Sequence, residues 1–438
     1  MKNCGVLIDP RDYRSFCFRG EGRANFVISA KNEATGQRIV WRFAKQRKSG
    51  LLTVKARSEL VNNYMNRLIA PLFSPHYLVS PRMVNFRVEG VHQIAKIPSL
   101  PPNRKIERYE DLFELPESSS FFPLNAIPKG CSRISALEMV DATRIPKEVD
   151  CFYGPTITVE IKPKQGFFQR HAGFELSHCN NCVLQIEKCS SDSFETMYDF
   201  CPLDLYSGEL GRMRASLEAL FKVPHRNLRV FVNGDMVHSD ERALEFEKLD
   251  AVLFPDGSQN IYGLIDALCC ALAGQRSADA ANFCITADSV LGQIQAGQVI
   301  DKIGIAEAHA LFTRLPAHDQ NQLKERGALA KRTLGLLNET DDRALLEQYF
   351  LAATMKDCSV MISLRMVPAA VAGTVALEDT VIVAVQDVFF AVSLKIVDLD
   401  PKSAKNLVNA YERFTSGADL LAKQPTLRRP CVHITNSA

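Results

Sequence analysis

No excess of charge runs through this sequence: its 438 residues carry 52 lysines and arginines against 50 aspartates and glutamates. General affinity for nucleic acid or for a membrane surface is therefore not expected, although a local basic pocket fits inside such a balance. Long hydrophobic runs are missing too. The most apolar window, Ser359 to Leu377, is interrupted by Arg365 and Pro368 and falls short of a membrane span. Met1-Lys2-Asn3-Cys4 is not followed by an apolar stretch and a small-residue cleavage site. No secretory signal is expected, and the expected location is cytoplasmic, nuclear or both. Without a sign of export, the 13 cysteines read as thiols or metal ligands rather than a disulfide set. What remains is ordinary for a globular chain, 46% hydrophobic and 23% charged, with length for roughly two or three domains.

The most informative stretch runs from Ile157 to Phe167. Thr158 to Ile161 alternates β-branched residues with Glu160 and predicts a strand, ending near Pro163, which cannot donate to a central ladder. Glu160, Lys162 and Lys164 stand at alternate positions, and alternate strand residues share a face. One carboxylate and two ammonium groups are therefore expected at one cleft. Like charges this close are costly unless an anion lies between them. The competing reading is a solvated edge strand.

Upstream, Ser15–Gly20 and Ala24–Ala30 predict two strands around Gly20-Glu21-Gly22, a glycine hairpin whose backbone N–H groups can approach an anion. Arg38–Lys45 predicts a third strand, with Arg42 opposite the face of Ile39, Trp41 and Phe43. A glycine hairpin followed by a strand carrying one cation is how protein kinases arrange phosphate contacts, though with lysine. Lys45-Gln46-Arg47-Lys48 is a basic strand end. Ala56–Phe73 has helical spacing through Leu60, Tyr64, Met65 and Leu68. Pro98–Pro128, rich in proline, serine and charge, predicts an irregular connection. Ser135–Asp141 predicts a short strand ending at a hinge.

Downstream lie His171, His178, Cys179, Cys182, Cys189 and Cys201. Cys179 and Cys182 form half of a zinc site, with Cys201 and one histidine, His171 ahead of His178, to complete it; unligated thiols are the alternative. Helices are predicted after Pro202 and over Asp341–Met355, a hairpin turn at Asn233-Gly234, and apolar strands over Val360–Leu364 and Val388–Val397. Tyr262–Thr340 reads as mostly helical and without clear chemistry. Asp357 precedes one apolar strand and Asp398 follows the other, where buried elements hold carboxylates rigidly, as a base or metal ligand requires. Lys402, Lys405, Asn409 and Arg413 share a face of the last helix, opposite Leu407, Tyr411 and Phe414.

Together these segments resemble the inositol-pentakisphosphate 2-kinases. The matching strings are Arg19–Asn25, Glu160–Gly166, Cys201–Gly208, Lys356–Ile362 and Asp398–Lys402, in family order along nearly the whole chain. The resemblance implies an α+β, two-lobed fold distantly like protein kinases. Residues 1–141 would form the N-terminal lobe, and 142–438 an enlarged, inositide-binding C-terminal lobe. It implies ATP and magnesium as cofactors and inositol pentakisphosphate as the molecule bound, by a monomer without nucleic-acid or membrane partners. By position it implies nucleotide roles for Gly20, Gly22, Asn25, Arg42, Glu160 and Lys162, with Asp141 at the hinge. Asp357 would be the base, aided by Lys162, and Asp398 the magnesium ligand. Arg47, Lys164, Arg226, Asn227, Lys402 and Tyr411 would face the inositol phosphates.

The chain also departs from the family pattern. Arg23 replaces a small residue of the glycine hairpin. Cys182 stands where plant members have an inositide lysine, and Arg226-Asn227 replaces a paired asparagine. No cysteines lie near His309 to form the plant zinc site, whereas Cys179, Cys182 and Cys201 resemble the animal branch. Tyr411 is one residue out of step with Lys402. Protein kinases would carry histidine-arginine-aspartate and aspartate-phenylalanine-glycine motifs, and other inositol polyphosphate kinases a proline-x-x-x-aspartate-x-lysine-x-glycine signature; all are missing. A non-catalytic inositide-binding scaffold is the remaining alternative, against which the retention of both Asp357 and Asp398 speaks.

Overall fold

The computed structural model describes residues 5–21, 25–45, 54–97, 105–116, 132–145, 151–191, 193, 196–197, 199–279, 282–325, 327–372 and 380–432. It is a mixed α+β structure with two sheets and two compact units. One unit comprises Met1–Asn66 and Val79–Ala142, the other Arg67–Leu78 and Thr143–Ala438. Sequence patterning puts a single cut after Asp141; the structure adds the excursion Arg67–Leu78 to the second unit. There Ser74 N donates to Gln293 Oε1 (2.8 Å), and Lys395 Nζ to His76 O (2.6 Å).

The first unit is built on strands β1 (Val6–Ile8), β2 (Tyr13–Glu21), β3 (Asn25–Asn32), β4 (Arg38–Ala44), β5 (Arg82–Arg87), β6 (Lys105–Arg108) and β7 (Arg133–Val140), with helices α1 (Val54–Tyr64) and α2 (Val88–Ile94). The spatial order is β1-β5-β7-β4-β3-β2-β6. Alternation in β3 and β4 turns Phe26, Ile28, Trp41 and Phe43 into one fully buried apolar layer, with Phe26 and Phe43 stacked 5.1 Å apart. Trp41 Nε1 donates to Glu138 Oε2 at 2.9 Å, which satisfies the indole in the core.

Two expectations change here. The segment read as an irregular connection contains β6, which pairs with β2 through Phe16 and Ile106. The helix expected to reach Phe73 ends at Tyr64 and continues as a π-helical turn, Met65–Ile69, before Pro71, which lacks the N–H an α-helix needs. The glycine hairpin's tip, Gly22 and Arg23, and the basic residue Arg47 lie outside the described residues.

The second unit holds β8 (Tyr153–Ile161), β9 (Leu228–Val232), β10 (Asp235–His238), β11 (Ser359–Val367), β12 (Val381–Val385) and β13 (Val388–Val397), ordered β10-β9-β8-β11-β13-β12. β8 is thus central, not an edge strand. Ile157, Val159 and Ile161 are buried, and Thr158 Oγ1 meets Ser363 Oγ of β11 at 2.7 Å. Helices α3 (Asn180–Ser190), α4 (Pro202–Leu205), α5 (Leu210–Lys222), α6 (Phe246–Leu253), α7 (Ile261–Ala273), α8 (Val290–Gln298), α9 (Gly304–Arg314), α10 (Ala317–Leu323), α11 (Asp342–Met355), α12 (Ala369–Ala372) and α13 (Ala404–Lys423) complete the unit. α3 and α13 approach closely because Gly417 has no side chain; a Cβ there would lie 2.4 Å from Val183 O.

Candidate active site

Strand register assembles the chemistry. Ile161 pairs with Val360, and Ser359 pairs with Val397. The end of β8, the start of β11 and the end of β13 therefore lie side by side. Lys162, Asp357 and Asp398 each stand one or two residues beyond those paired positions. α11 stops at Met355, and Asp357 N bonds back to Thr354 O, so the adjacent side chains diverge. Lys356 turns into the core onto Asp301 (2.6 Å), leaving Asp357 toward the cluster.

The Asp357 carboxylate accepts from Lys164 Nζ at 3.2 Å and from Lys402 Nζ at 2.5 Å. Lys162 Nζ lies 3.4 Å from Asp398 Oδ2, and Glu160 pairs with Arg229 of β9 at 3.3 Å. Burial pushes the Asp357 carboxyl up, but Lys164, Lys402 and Lys162 outweigh it and hold the group far below the ordinary carboxylate range. Its side chain remains 48% exposed, so water screens these pairs and they add little to stability. Burial also pushes Lys162 down, yet Asp398, Asp357 and Glu160 reverse the effect and raise it. For Lys164 burial wins, and its ammonium is lowered despite Asp357. The cluster sets three lysines against two aspartates, a local excess of basic groups that an anionic ligand would complement.

The regular alternation expected from Glu160 through Lys164 does not persist. The strand ends at Ile161, Lys162 N donates to Asn227 O at 2.8 Å, and Lys164 adopts a left-handed φ of 61°. Each lysine still reaches an aspartate of the cluster, Lys162 reaching Asp398 and Lys164 reaching Asp357. Asn227 is buried beside this strand end, whereas Arg226 is exposed and pairs with Asp240 at 3.3 Å. Tyr411 stands apart from the ion pairs: its ring stacks on His309, 3.9 Å between centroids, where α13 meets α9. Arg413 is engaged by Glu187 of α3 at 2.5 Å. In the first unit, Asp141 is buried and pairs with Arg19 at 3.4 Å, Arg42 is half-buried in β4, and Gly20 and Asn25 flank the hairpin tip.

Sequence reasoning missed Lys188, on α3. Burial, with the neighbouring charges of Lys164 and Arg413, pushes its ammonium down to about 8. Cys182, the position matched to an inositide lysine, is instead buried among thiols, and Lys188 lies further along the same helix. The available signal was a lone lysine ending a helix with an apolar stripe.

The second constellation is Cys179, Cys182, Cys201 and Cys431, whose sulfurs lie within 4.8 Å of one another. Cys431 is the fourth member, not His171: that imidazole bonds Asn180 through Nε2 (2.8 Å) and packs edge-on to Phe414. His178 bonds Arg428 O. Four sulfurs about 2.3 Å from one zinc stand about 3.8 Å apart; Cys179–Cys201 and Cys201–Cys431 measure 4.0 and 3.7 Å. The donor set and spacing fit zinc. All described cysteines are free thiols, and no helix among the described residues is long and apolar enough to cross a membrane.

Comparison with known proteins finds relatives along most of the chain. A family model described as inositol-pentakisphosphate 2-kinase matches residues 18–413. A protein named inositol-pentakisphosphate 2-kinase from Danio rerio is 24% identical over 92% of this chain and 92% of its own length. One of the same name from Arabidopsis thaliana is 25% identical over 82% and 83%. A Drosophila melanogaster protein so named is 31% identical over 23% of this chain.

Proposed function

The chain belongs to the inositol-pentakisphosphate 2-kinase family of enzymes, and from that premise we propose that it transfers the γ-phosphoryl group of ATP to the free 2-hydroxyl of inositol 1,3,4,5,6-pentakisphosphate, giving the hexakisphosphate, phytate. The observation that carries this reading is Asp357 held between Lys164 and Lys402, beside the Lys162–Asp398 pair, at one end of three adjacent strands.

Five phosphate monoesters carry roughly −8 to −10 charges at neutral pH. Lys164, Lys402 and Lys188 answer that charge, with Asn227 and Arg226 at its margin. Phosphates that draw Lys164 and Lys402 away leave Asp357 less compensated, so its basicity rises when the acceptor hydroxyl arrives. Asp357 then orients the 2-hydroxyl and takes its proton. In the second unit Lys162 is assigned to the triphosphate and Glu160 to the nucleotide; in the first unit Arg42, Asp141 and the glycine hairpin carry the nucleotide roles that the family resemblance implies. Asp398, a hard oxygen donor at a strand end, is suited to hold magnesium. Magnesium held there would supply neutralisation of the charge that develops on the phosphoryl group in transfer. Cys179, Cys182, Cys201 and Cys431 would hold a structural zinc ion, which ties the chain near its last described residues to α3 and α4.

The test incubates the purified protein with ATP, magnesium and inositol 1,3,4,5,6-pentakisphosphate and separates the products by anion-exchange chromatography. The expected result is ATP-dependent formation of a species co-eluting with phytate and lost in Asp357→Asn. Inositide binding without any transfer favours the scaffold reading instead.

A further inference from the structure

Regular strand pairing ends before it reaches either Lys164 or Asp357. β8 stops at Ile161, and Lys164 stands in left-handed backbone that a residue with a Cβ adopts only when its surroundings hold it there. Asp357 lies past the end of α11. Both backbones converge on one side chain from the helical region that shows no chemistry in sequence. Gln298, the last residue of α8, is completely buried. Its Oε1 accepts from Gly166 N at 2.8 Å, and its Nε2 donates to Lys164 O at 2.7 Å and Met355 O at 3.1 Å. Both amide hydrogens are used. Gln295, one turn earlier, donates to Gly166 O at 2.7 Å.

We propose that Gln298 is a positioning residue for phosphoryl transfer, setting Lys164 against Asp357 by tying the lysine loop to the turn that bears the base; this rests on the reading above. A glutamine amide suits the task because it carries the donor and acceptor of a peptide. It pairs with Lys164 C=O and Gly166 N–H as a neighbouring strand would, and its second N–H reaches the end of α11. The surroundings leave little slack. A Cβ on Gly166 would lie 2.4 Å from the Tyr206 ring, and one on Gly297 would lie 3.1 Å from Met355 Cγ. Asp301 reinforces the clamp from the same segment: it holds Lys356 at 2.6 Å and accepts from Gly304 N at 2.8 Å. An asparagine is one methylene too short to span these partners, and an apolar residue removes the amide from Lys164 O and Gly166 N and leaves Met355 O with only the weak Cys358 thiol donor at 3.2 Å.

The experiment compares the parent with Gln298→Met and Gln298→Glu, measuring kcat, separate KM values for inositol pentakisphosphate and ATP, Tm, and inositide affinity by calorimetry without ATP. A displacement of about 1 Å at reacting groups costs about 100-fold, so Gln298→Met should lose about that much in kcat/KM for the inositide while its ATP KM stays within about two-fold. In Gln298→Glu the buried carboxyl faces two carbonyls, so it works only when protonated. Its kcat/KM relative to the parent should rise as pH is lowered from about 8 to about 6. Parental KM values with only a lower Tm, or a Glu-to-parent ratio independent of pH, would overturn the proposal. If Gln298→Met fails to fold, the pH ratio decides alone. If the parent binds inositide without transferring phosphate, the functional reading fails, and the calorimetric comparison still decides whether Gln298 positions Lys164.

Discussion

Replacing Asp357 by asparagine separates catalysis from binding in a way the geometry makes quantitative. The carboxylate accepts from Lys164 at 3.2 Å and Lys402 at 2.5 Å, so in the ligand-free protein it engages two ammonium groups that the inositide needs and offsets one of their charges. Asparagine keeps the shape and removes the charge. General-base assistance contributes about 10²- to 10⁴-fold, so turnover should fall by that much. Affinity for the polyanion should move the other way. A unit charge about 5 Å from a phosphate is worth roughly 0.8 kcal/mol at the dielectric constant of water and about 3 kcal/mol at an effective value near 20. With the side chain 48% exposed the lower figure governs, and binding should tighten about four-fold rather than a hundred-fold. Steady-state rates with ATP and calorimetry with inositol pentakisphosphate alone measure the two effects. Turnover within about threefold of the parent would remove Asp357 from the reaction. Binding weakened by ten-fold or more would mean that the hydrogen bond from the 2-hydroxyl to the carboxylate outweighs its charge, which refutes the charge argument.

Three further outcomes follow from the same site. Lys164→Ala should raise KM for the inositide far more than for ATP, and Lys162→Ala should do the reverse, because each lysine pairs with a different aspartate; equal effects on both substrates contradict the assignment. Lys188, held down to about 8 by burial and by Lys164 and Arg413, is cationic below that value and neutral above it. Inositide affinity should therefore fall as pH rises through about 8, a step that Lys188→Gln abolishes; identical pH profiles for the two proteins would exclude Lys188 from the site. Protein purified without added metal should contain one zinc per chain by elemental analysis and lose it in Cys431→Ser but not in His171→Ala, and the opposite pattern would restore the histidine.

The order of legible and illegible residues has a physical cause. Lys162, Lys164, Asp357 and Asp398 stand out in the sequence because an ionisable side chain beside apolar strand residues is expensive without a partner. Their strands read correctly because alternation and apolar runs are local signals, as the match of Val388–Val397 shows. The early end of the long first helix was also a local signal, Pro71, outweighed by helical spacing through Leu68. Cys431 has no such signal. It lies 230 residues from Cys201, and no local spacing rule reaches across that separation.

Gln298 is the more instructive case. A buried amide carries no charge and no motif spacing, and on α8 it occupies a position that helical periodicity assigns to packing. What gives it meaning is that Lys164 departs from strand geometry and that the Gln298 amide binds that turn, accepting from the N–H on one side and donating to the carbonyl on the other. The strand pattern predicts Glu160, Lys162 and Lys164 on one face by extrapolating an extended backbone past Pro163. Instead Lys162 N is taken by Asn227 O, and Lys164 turns left-handed. The two lysines meet the two aspartates because tertiary hydrogen bonds replace the strand where it stops. Residues that carry chemistry are thus readable one at a time, whereas the groups that aim them appear only with their partners.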